Sequence, residues 1–147
     1  MEKNSKELCE AMEIGRPKGK TMMSGGIAFT VRDETGMKIA YYGLRKNGEE
    51  WKEIPNRHFN PEGTLYNFHS VNKDEPLILT RDIWTCLHYI DEGNQAVCNF
   101  NLPYFSPRQV ELLNTLNCII RVNAEFPNFR DTASYLGKNL KLPHWFT

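Results

Sequence analysis

The amino-acid sequence predicts an α/β protein in which a three-stranded antiparallel meander is followed by a parallel β-α-β-α-β-α unit. The meander is predicted from apolar and polar residues that alternate over 26–32, 37–44 and 50–54, because strand side chains point to alternate faces. The parallel unit is predicted from residues 76–101, where a short apolar run, a stretch of helical spacing, a glycine and a second apolar run follow one another. A strand, a helix and a strand in this order form a right-handed parallel unit.

The chain begins with a short predicted helix at residues 5–14. Leu8, Cys9 and Met12 recur there at helical spacing, and the glycines and proline that follow end the helix. The next stretch, GRPKGKTMMSGG, carries three basic residues. We interpret it as a solvated connector, since runs of charge usually face water.

Turn signals separate the meander strands. Residues 33–36 read Asp-Glu-Thr-Gly, and Asn47-Gly48 is the strongest turn signal in the chain because this pair suits the primed hairpin turns. Pro55 ends the third strand. The irregular stretch that follows contains one apolar anchor, at residues 65–68.

The central unit carries a signal at each boundary. A strand is predicted at residues 77–80, and Asp82 is placed to cap the helix that follows. Gly93 is placed to end that helix, because a residue without Cβ enters the left-handed conformation cheaply. The second buried strand begins at Ala96. The apolar positions of the helix are Ile83, Trp84, Leu87 and Ile90.

Two helices and a strand complete the predicted unit. Ser106 and Pro107 open a helix as its cap and its first residue. A third buried strand is predicted at residues 118–122, and Asn128 or Asp131 opens the last helix. We expect the aromatic tail after Pro143 to pack back on the body.

Length and composition restrict the class of protein. With 147 residues, of which 40% are hydrophobic, the chain can build the core of one domain. Its 18 basic and 18 acidic residues cancel, so an anionic partner must be met by a local patch.

Several features indicate a cytoplasmic protein. The four cysteines form no C-x-x-C pair, so we expect buried reduced thiols and no zinc site. The N-terminal residues are charged and lack the apolar core of a signal peptide, and no apolar run reaches the length of a membrane span. The four histidines are scattered, with no Cys or Asp at ligand spacing, so we expect no metal or catalytic role for them.

Collinear segments give the sequence a resemblance to the catalytic core of bacterial-type DNA primases, a meander subdomain followed by a Toprim domain. The meander strands of the family resemble this chain's stretch GGIAFTVRDETGMKIAYYGLR. The family's Leu-Tyr/Phe-Asn anchor matches Leu65-Tyr66-Asn67. Its Leu-Ser-x-x-Gln-x-x-Leu-Leu segment is similar to FSPRQVELL, at residues 105–113. The resemblance implies a primase-like helix and meander subdomain at residues 1–72 and a Toprim-like α/β domain at residues 73–147.

The resemblance also implies a metal site that has lost its acidic residues. A Toprim site uses a glutamate after its first strand and an Asp-x-Asp pair after its third to hold Mg²⁺. Arg81 stands at the glutamate position, Thr85 at a helix aspartate, and Asn123-Ala124-Glu125 at the pair. Because Arg81 repels a divalent cation and Glu125 alone cannot supply the oxygen ligands, we expect no metal, no cofactor and no catalysis.

Basic residues predict nucleic-acid contacts that need no metal. In the family, the surface around these strand ends meets nucleic acid and nucleotide phosphates. Lys52 matches a family lysine, and Arg45 or Lys46 falls near a family arginine. Arg81 and Arg121 lie on or near the parallel strands. Such a patch can hold a phosphate backbone.

Two interpretations stay open for five polar and aromatic residues. Tyr41, Tyr42 and Trp51 either offer stacking faces for a single strand or belong to the core. Asn99 and Asn101 either bind a ligand through their amides or cap the turn that follows them.

Three functions are compatible with these expectations. The first is a primase-related binding module without activity, whose partners are single-stranded DNA or RNA, or a replication protein such as a helicase, and not a membrane. The second is an accessory primase or nucleotidyl transferase that uses Mg²⁺ and completes its site with another chain or with Glu125, Asp82 and Asp131. The third is a structural partner that dimerises through residues 143–147.

Overall fold

The computed structural model describes residues 5–15, 26–116, 118–123, 126, 129–140 and 144–146. Within these residues the strands form one antiparallel and one parallel sheet of four strands each, which confirms the predicted α/β class. The elements in chain order are α1 (Ser5–Ala11), β1 (Ile14–Gly15), β2 (Ile27–Arg32), β3 (Lys38–Asn47), β4 (Glu50–Glu53), a 3₁₀ turn (Phe68–Ser70), β5 (Leu77–Thr80), α2 (Ile83–Asp91), β6 (Ala96–Cys98), α3 (Pro107–Leu113), β7 (Ile120–Val122), α4 (Phe129–Asn139) and β8 (His144–Phe146).

The antiparallel sheet has one strand more than the three that the sequence predicted. Helix α1 ends early because Glu13 adopts a left-handed φ of 57°, and Ile14 then pairs with Phe29 of β2. The side chains of β2 hold this turn. Arg32 donates from Nη2 to Glu13 Oε2 at 2.7 Å, and Thr30 Oγ1 donates to the Glu13 carbonyl at 2.9 Å.

The hairpin between β3 and β4 was predicted correctly, but its turn is Gly48-Glu49 and not Asn47-Gly48, and its first strand is longer than predicted. The prediction ended that strand at residue 44, whereas β3 continues to Asn47, which pairs with Glu50. Gly48 therefore begins a two-residue turn. Its φ of 68° is strained for a residue with a Cβ, which explains the glycine.

The parallel sheet has the strand order β6-β5-β7-β8. Strands β5, β6 and β7 are the three that the sequence predicted, although β7 is shorter than expected. The fourth, β8, is formed by the aromatic tail, which pairs in parallel with β7. The tail therefore packs on the body as expected, and it does so as an edge strand.

Helices cover both faces of the parallel sheet, because the chain passes from β5 to β6 and then crosses back to β7. On one face, Leu79 of β5 packs in a cluster with α3 and with Leu136 of α4. On the other face, Ile78 packs in a cluster with Leu87 of α2 and Phe29 of β2. The antiparallel sheet thus lies on the α2 side and shares a core cluster with the parallel sheet.

The helix boundaries follow the capping signals in the sequence. Asp82 Oδ2 accepts a hydrogen bond from Thr85 N at 3.2 Å and caps α2, and Gly93, with φ 90°, follows its end. Ser106 caps α3 by accepting from Gln109 N at 3.1 Å. The Gln109 side chain accepts from Ser106 N at 3.0 Å, which completes a capping box.

Three of the four cysteines are buried as the sequence predicted, whereas Cys9 is half-buried. Cys86, Cys98 and Cys118 are buried, and all four cysteines are free thiols. Burial raises the pKa of Cys98 and of Cys118, so these thiols stay protonated at neutral pH. None of the described helices is long and apolar enough to cross a membrane.

Candidate functional site

The carboxyl ends of β5, β6 and β7 meet at one edge of the parallel sheet, which we call the carboxyl edge. Arg81 follows β5, Asn99 follows β6 and Asn123 follows β7. The backbone N–H of Asn101 donates to the Arg81 carbonyl at 2.8 Å, and that of Asn123 donates to β5 at 3.0 Å. Because β5 lies between β6 and β7, Arg81 is at the centre of this edge.

Arg81 is half-buried and helps to hold the loop after β6. Its Nε donates to the carbonyl oxygen of Leu102 at 3.2 Å. The residue that the sequence singled out for its charge therefore also has a structural contact. Leu102 was not predictable from the sequence, because a backbone carbonyl that serves as an acceptor leaves no signal in the residue type.

Asn99 is fully buried and organises the same loop. Its Nδ2 donates to the carbonyls of Leu102 at 3.2 Å and Tyr104 at 2.8 Å. Of the two interpretations left open, the turn-capping one is confirmed for Asn99. Its Oδ1 is buried and has no hydrogen-bond partner among the described residues, while Asn101 is exposed and has a left-handed φ of 66°.

The remaining positions of the predicted degenerate metal site have other hydrogen bonds. Asp82 Oδ2 accepts from both the N–H and the hydroxyl of Thr85, each at 3.2 Å. Asn123 Nδ2 donates to the Tyr89 hydroxyl at 3.0 Å. Glu125 lies outside the described residues. Among the residues that are described, no three His, Cys, Asp or Glu side chains cluster as a metal site would require.

The three basic residues of the meander lie on two different faces of the antiparallel sheet. Arg45 is directly opposite Lys52, and Lys46 is directly opposite Trp51. Directly opposite residues share a face, and neighbouring residues in a strand do not. Arg45 and Lys52 therefore lie together on the outer face, whereas Lys46 lies with Trp51. Lys52 Nζ also contacts Glu50 Oε2 at 3.2 Å.

The candidate stacking residues are also divided between surface and core. Tyr42 is buried and donates its hydroxyl to Glu53 Oε1 at 2.9 Å. Burial and the Glu53 charge raise its pKa, so it is a core residue. Tyr41 is 43% exposed on the face of Arg45. Trp51 is 38% exposed and packs against Trp84 of α2, with ring centroids 5.0 Å apart.

Arg121 is not at the carboxyl edge. It is exposed in the middle of β7, and it lines a groove of about 300 Å³. The groove is also lined by Glu75, Asn94 and Gln95, which precede β5 and β6. Arg121 pairs with Ile78, inside β5, and faces a groove at the amino ends of β5 and β6, so it does not share the carboxyl edge with Arg81.

No family model and no curated protein matches the sequence. Solved structures do match it. The DnaG catalytic core has a TM-score of 0.73 and 17% identity, over 97% of this chain and 61% of that chain. The DnaG primase catalytic domain bound to single-stranded DNA has a TM-score of 0.71 and 16% identity, over 97% of this chain and 62% of that chain.

A third similar structure comes from bacteriophage T7. It contains the lagging-strand DNA polymerase interacting with primase domains of two gp4 subunits bound to an RNA/DNA hybrid and dTTP. The TM-score is 0.61 and the identity 14%, over 95% of this chain and 74% of that chain. The chain thus has the fold of a bacterial primase catalytic core, and it spans about three fifths of the length of the two DnaG chains.

Proposed function

We propose that this primase-like chain is a binding module for single-stranded nucleic acid that does not carry out metal-dependent catalysis. The observation that carries the proposal is Arg81 at the centre of the carboxyl edge, where the primase resemblance implies a metal-binding glutamate. A guanidinium at this place repels a divalent cation and attracts a phosphate. An arginine at this position thus argues against metal-dependent catalysis and for binding of a phosphate backbone.

The hydrogen bonds of the residues next to Arg81 support the proposal that this chain does not carry out metal-dependent catalysis. Asp82 uses Oδ2 to cap α2, and Asn123 is an amide that donates to Tyr89. A hard cation such as Mg²⁺ prefers several charged oxygen ligands in octahedral geometry. The described side chains at this edge do not offer such a set.

The outer face of the antiparallel sheet supports the proposed binding of single-stranded nucleic acid. The chain has no net charge, so an anionic strand must be met by a local group of cations. Arg45 and Lys52 form such a group, and Tyr41 on the same face presents a half-exposed ring on which a base can stack. Arg121 provides a separate cation in the middle of β7.

Nucleic acid as the ligand is also suggested by two of the similar structures. One contains single-stranded DNA, and the other holds primase domains bound to an RNA/DNA hybrid and dTTP. The primase resemblance suggests a replication protein such as a helicase as a further partner. We place single-stranded nucleic acid first, because the cations and rings described above account for it.

Salt-dependent binding of a short single-stranded oligonucleotide, followed by fluorescence anisotropy, tests the proposal. The logarithm of affinity should fall linearly with the logarithm of salt concentration, and a double Arg45→Ala, Lys52→Ala variant should reduce the slope by about 1.4. Lys73→Ala, which removes an exposed lysine from a loop far from β3 and β4 in sequence, is the matched control and should leave the slope unchanged. Binding that is absent even at low salt would refute the proposal.

Arg81 needs two substitutions, because it also contacts Leu102. Arg81→Lys keeps the charge and loses the Nε donor, whereas Arg81→Gln loses the charge. We expect Arg81→Lys to retain oligonucleotide binding and Arg81→Gln to weaken it. Equal binding by both variants and the parent chain would remove Arg81 from the binding surface.

A primer-synthesis assay with Mg²⁺ and with Mn²⁺ tests the enzymatic alternative. We expect no synthesis from the purified chain. Synthesis that Glu125→Ala abolishes would replace the proposed function with that of an accessory primase.

A further inference from the structure

A pocket of about 500 Å³ lies between the loop after β6 and helix α4. This volume is inside the range of about 300–1,000 Å³ that is typical of small-molecule sites. The loop contributes Pro103, Tyr104 and Phe105, and the helix contributes Asp131, Thr132 and Tyr135. No sequence pattern predicts this pocket, since its two sides are far apart along the chain.

The walls of the pocket are aromatic and partly preorganised. Tyr104 is 46% exposed and Tyr135 is 38% exposed, while Phe105 is buried and packs against Phe126 with ring centroids 5.1 Å apart. The carbonyl of Tyr104 is fixed by Asn99 Nδ2 at 2.8 Å. Partial desolvation and the adjacent Glu62 carboxylate, to which the hydroxyl donates, raise the pKa of Tyr104. The backbone carbonyl and the hydroxyl of Tyr104 therefore each have a protein partner.

The charge of the pocket selects the kind of ligand. Asp131, in the first turn of α4, contributes a carboxylate, which accepts hydrogen bonds and cannot donate them when ionised. None of the six described lining residues is a cation. A phosphate is therefore disfavoured inside the pocket, and a flat ring whose edge carries N–H donors is favoured.

We propose that this pocket binds a nucleobase with a donor edge, guanine in preference to the others, stacked against Tyr104 and Tyr135 and hydrogen-bonded to Asp131. Guanine offers two adjacent donors, its ring N–H and its amino group, which match the two oxygens of one carboxylate. Uracil and thymine offer a single ring N–H. This inference rests on the proposed function, because it names the base that the nucleic-acid-binding module recognises at a specific site.

Ligand-observed saturation-transfer NMR with guanosine and with uridine tests the pocket directly. Guanosine should give a signal at neutral pH and uridine a much weaker one. Tyr135→Ala should weaken guanosine binding roughly tenfold, and Tyr135→Phe should retain it, because a base stacks on any aromatic ring. Asp131→Asn should reduce the preference for guanosine over uridine. Met37→Ala, at an exposed apolar side chain outside the pocket, is the control and should bind like the parent chain.

Equal signals from the two nucleosides, an unchanged signal from Tyr135→Ala, or no guanosine signal at millimolar concentration would each overturn the inference. Competition identifies the source of the base. Displacement of guanosine by a guanine-containing oligonucleotide, and not by an oligothymidine, assigns the pocket to a base in a strand. Displacement by a free guanosine nucleotide alone assigns it to a mononucleotide.

Guanosine carries no phosphate, so its binding does not depend on Arg45, Lys52 or Arg81. If guanosine binds and oligonucleotides do not, the pocket assignment stands and the proposed function fails. If oligonucleotides bind with the predicted salt dependence and guanosine gives no signal, the proposed function stands and the pocket assignment fails.

Discussion

Arg45 lies directly opposite Lys52 across the β3–β4 hairpin, so two positive side chains share one face of the antiparallel sheet. Like charges at directly opposite positions destabilise a sheet. The contact of Lys52 Nζ with Glu50 Oε2 at 3.2 Å partly offsets this, but both of these side chains are well exposed. A cost in stability at this position is understandable if the pair contacts a phosphate backbone.

Substitution of Arg45 with Glu should move stability and binding in opposite directions. The variant places unlike charges opposite each other, so the free energy of unfolding should rise by about 0.2–1 kcal/mol at low salt. The same change should weaken binding to single-stranded DNA. Chemical denaturation and fluorescence anisotropy on the same preparation provide the two measurements. Lys73→Glu makes the same change of charge at an exposed loop residue; if it weakens binding as much, net charge and not the hairpin face is responsible.

Phe100 should link the unfolding of the two sheets. It follows β6 and is 1% exposed, and its ring centroid lies 5.4 Å from that of Tyr42 in β3 and 4.8 Å from that of Phe59. Phe100→Ala should cost about 3–5 kcal/mol. Because residues of both sheets share this cluster, amide hydrogen exchange should lose protection in β2, β3, β5 and β6 together. Loss confined to one sheet would instead support residues 1–72 and 73–147 as independently unfolding parts.

His69 should make the protein less stable as the pH falls below neutral. Partial burial, and next the positive charge of Arg32, lower its pKa in the folded state. The unfolded chain therefore takes up the proton first, near pH 6.5, and the free energy of unfolding decreases below that pH. The Glu13 carboxyl, whose pKa the Arg32 hydrogen bond lowers, stays ionised in this range and does not contribute to the change.

Urea denaturation at about pH 7 and about pH 5.5 measures this effect. His69→Gln should lose less stability between the two conditions than the parent chain does. His58→Gln serves as the control, since His58 is exposed in a turn. A parent chain and a His69→Gln variant with the same pH dependence would contradict the prediction.

Short-range signals determined most of the secondary structure of this chain. Asp82, Gly93 and Ser106 mark helix boundaries through contacts with residues a few positions away, and Asn47-Gly48 marks a hairpin in the same manner. The collinear order of these elements was enough to predict the primase-like fold. It was also enough to place Arg81 at a strand end, because the end of an apolar run is visible in the sequence itself.

The tertiary structure alone decided which residues share a face, an edge or a pocket. Arg45 and Lys46 lie beyond the predicted end of the second strand, and because β3 continues to Asn47 they alternate to opposite faces of the sheet. Arg81 follows the end of β5, whereas Arg121 lies inside β7 and lines a groove with residues that precede β5 and β6. Pairings across long stretches of chain determine strands β1 and β8. They also determine the hydrogen bond from Arg81 to the Leu102 carbonyl and the pocket between Tyr104 and Tyr135. Such pairings are fixed by packing and register, for which no local pattern of residue types exists.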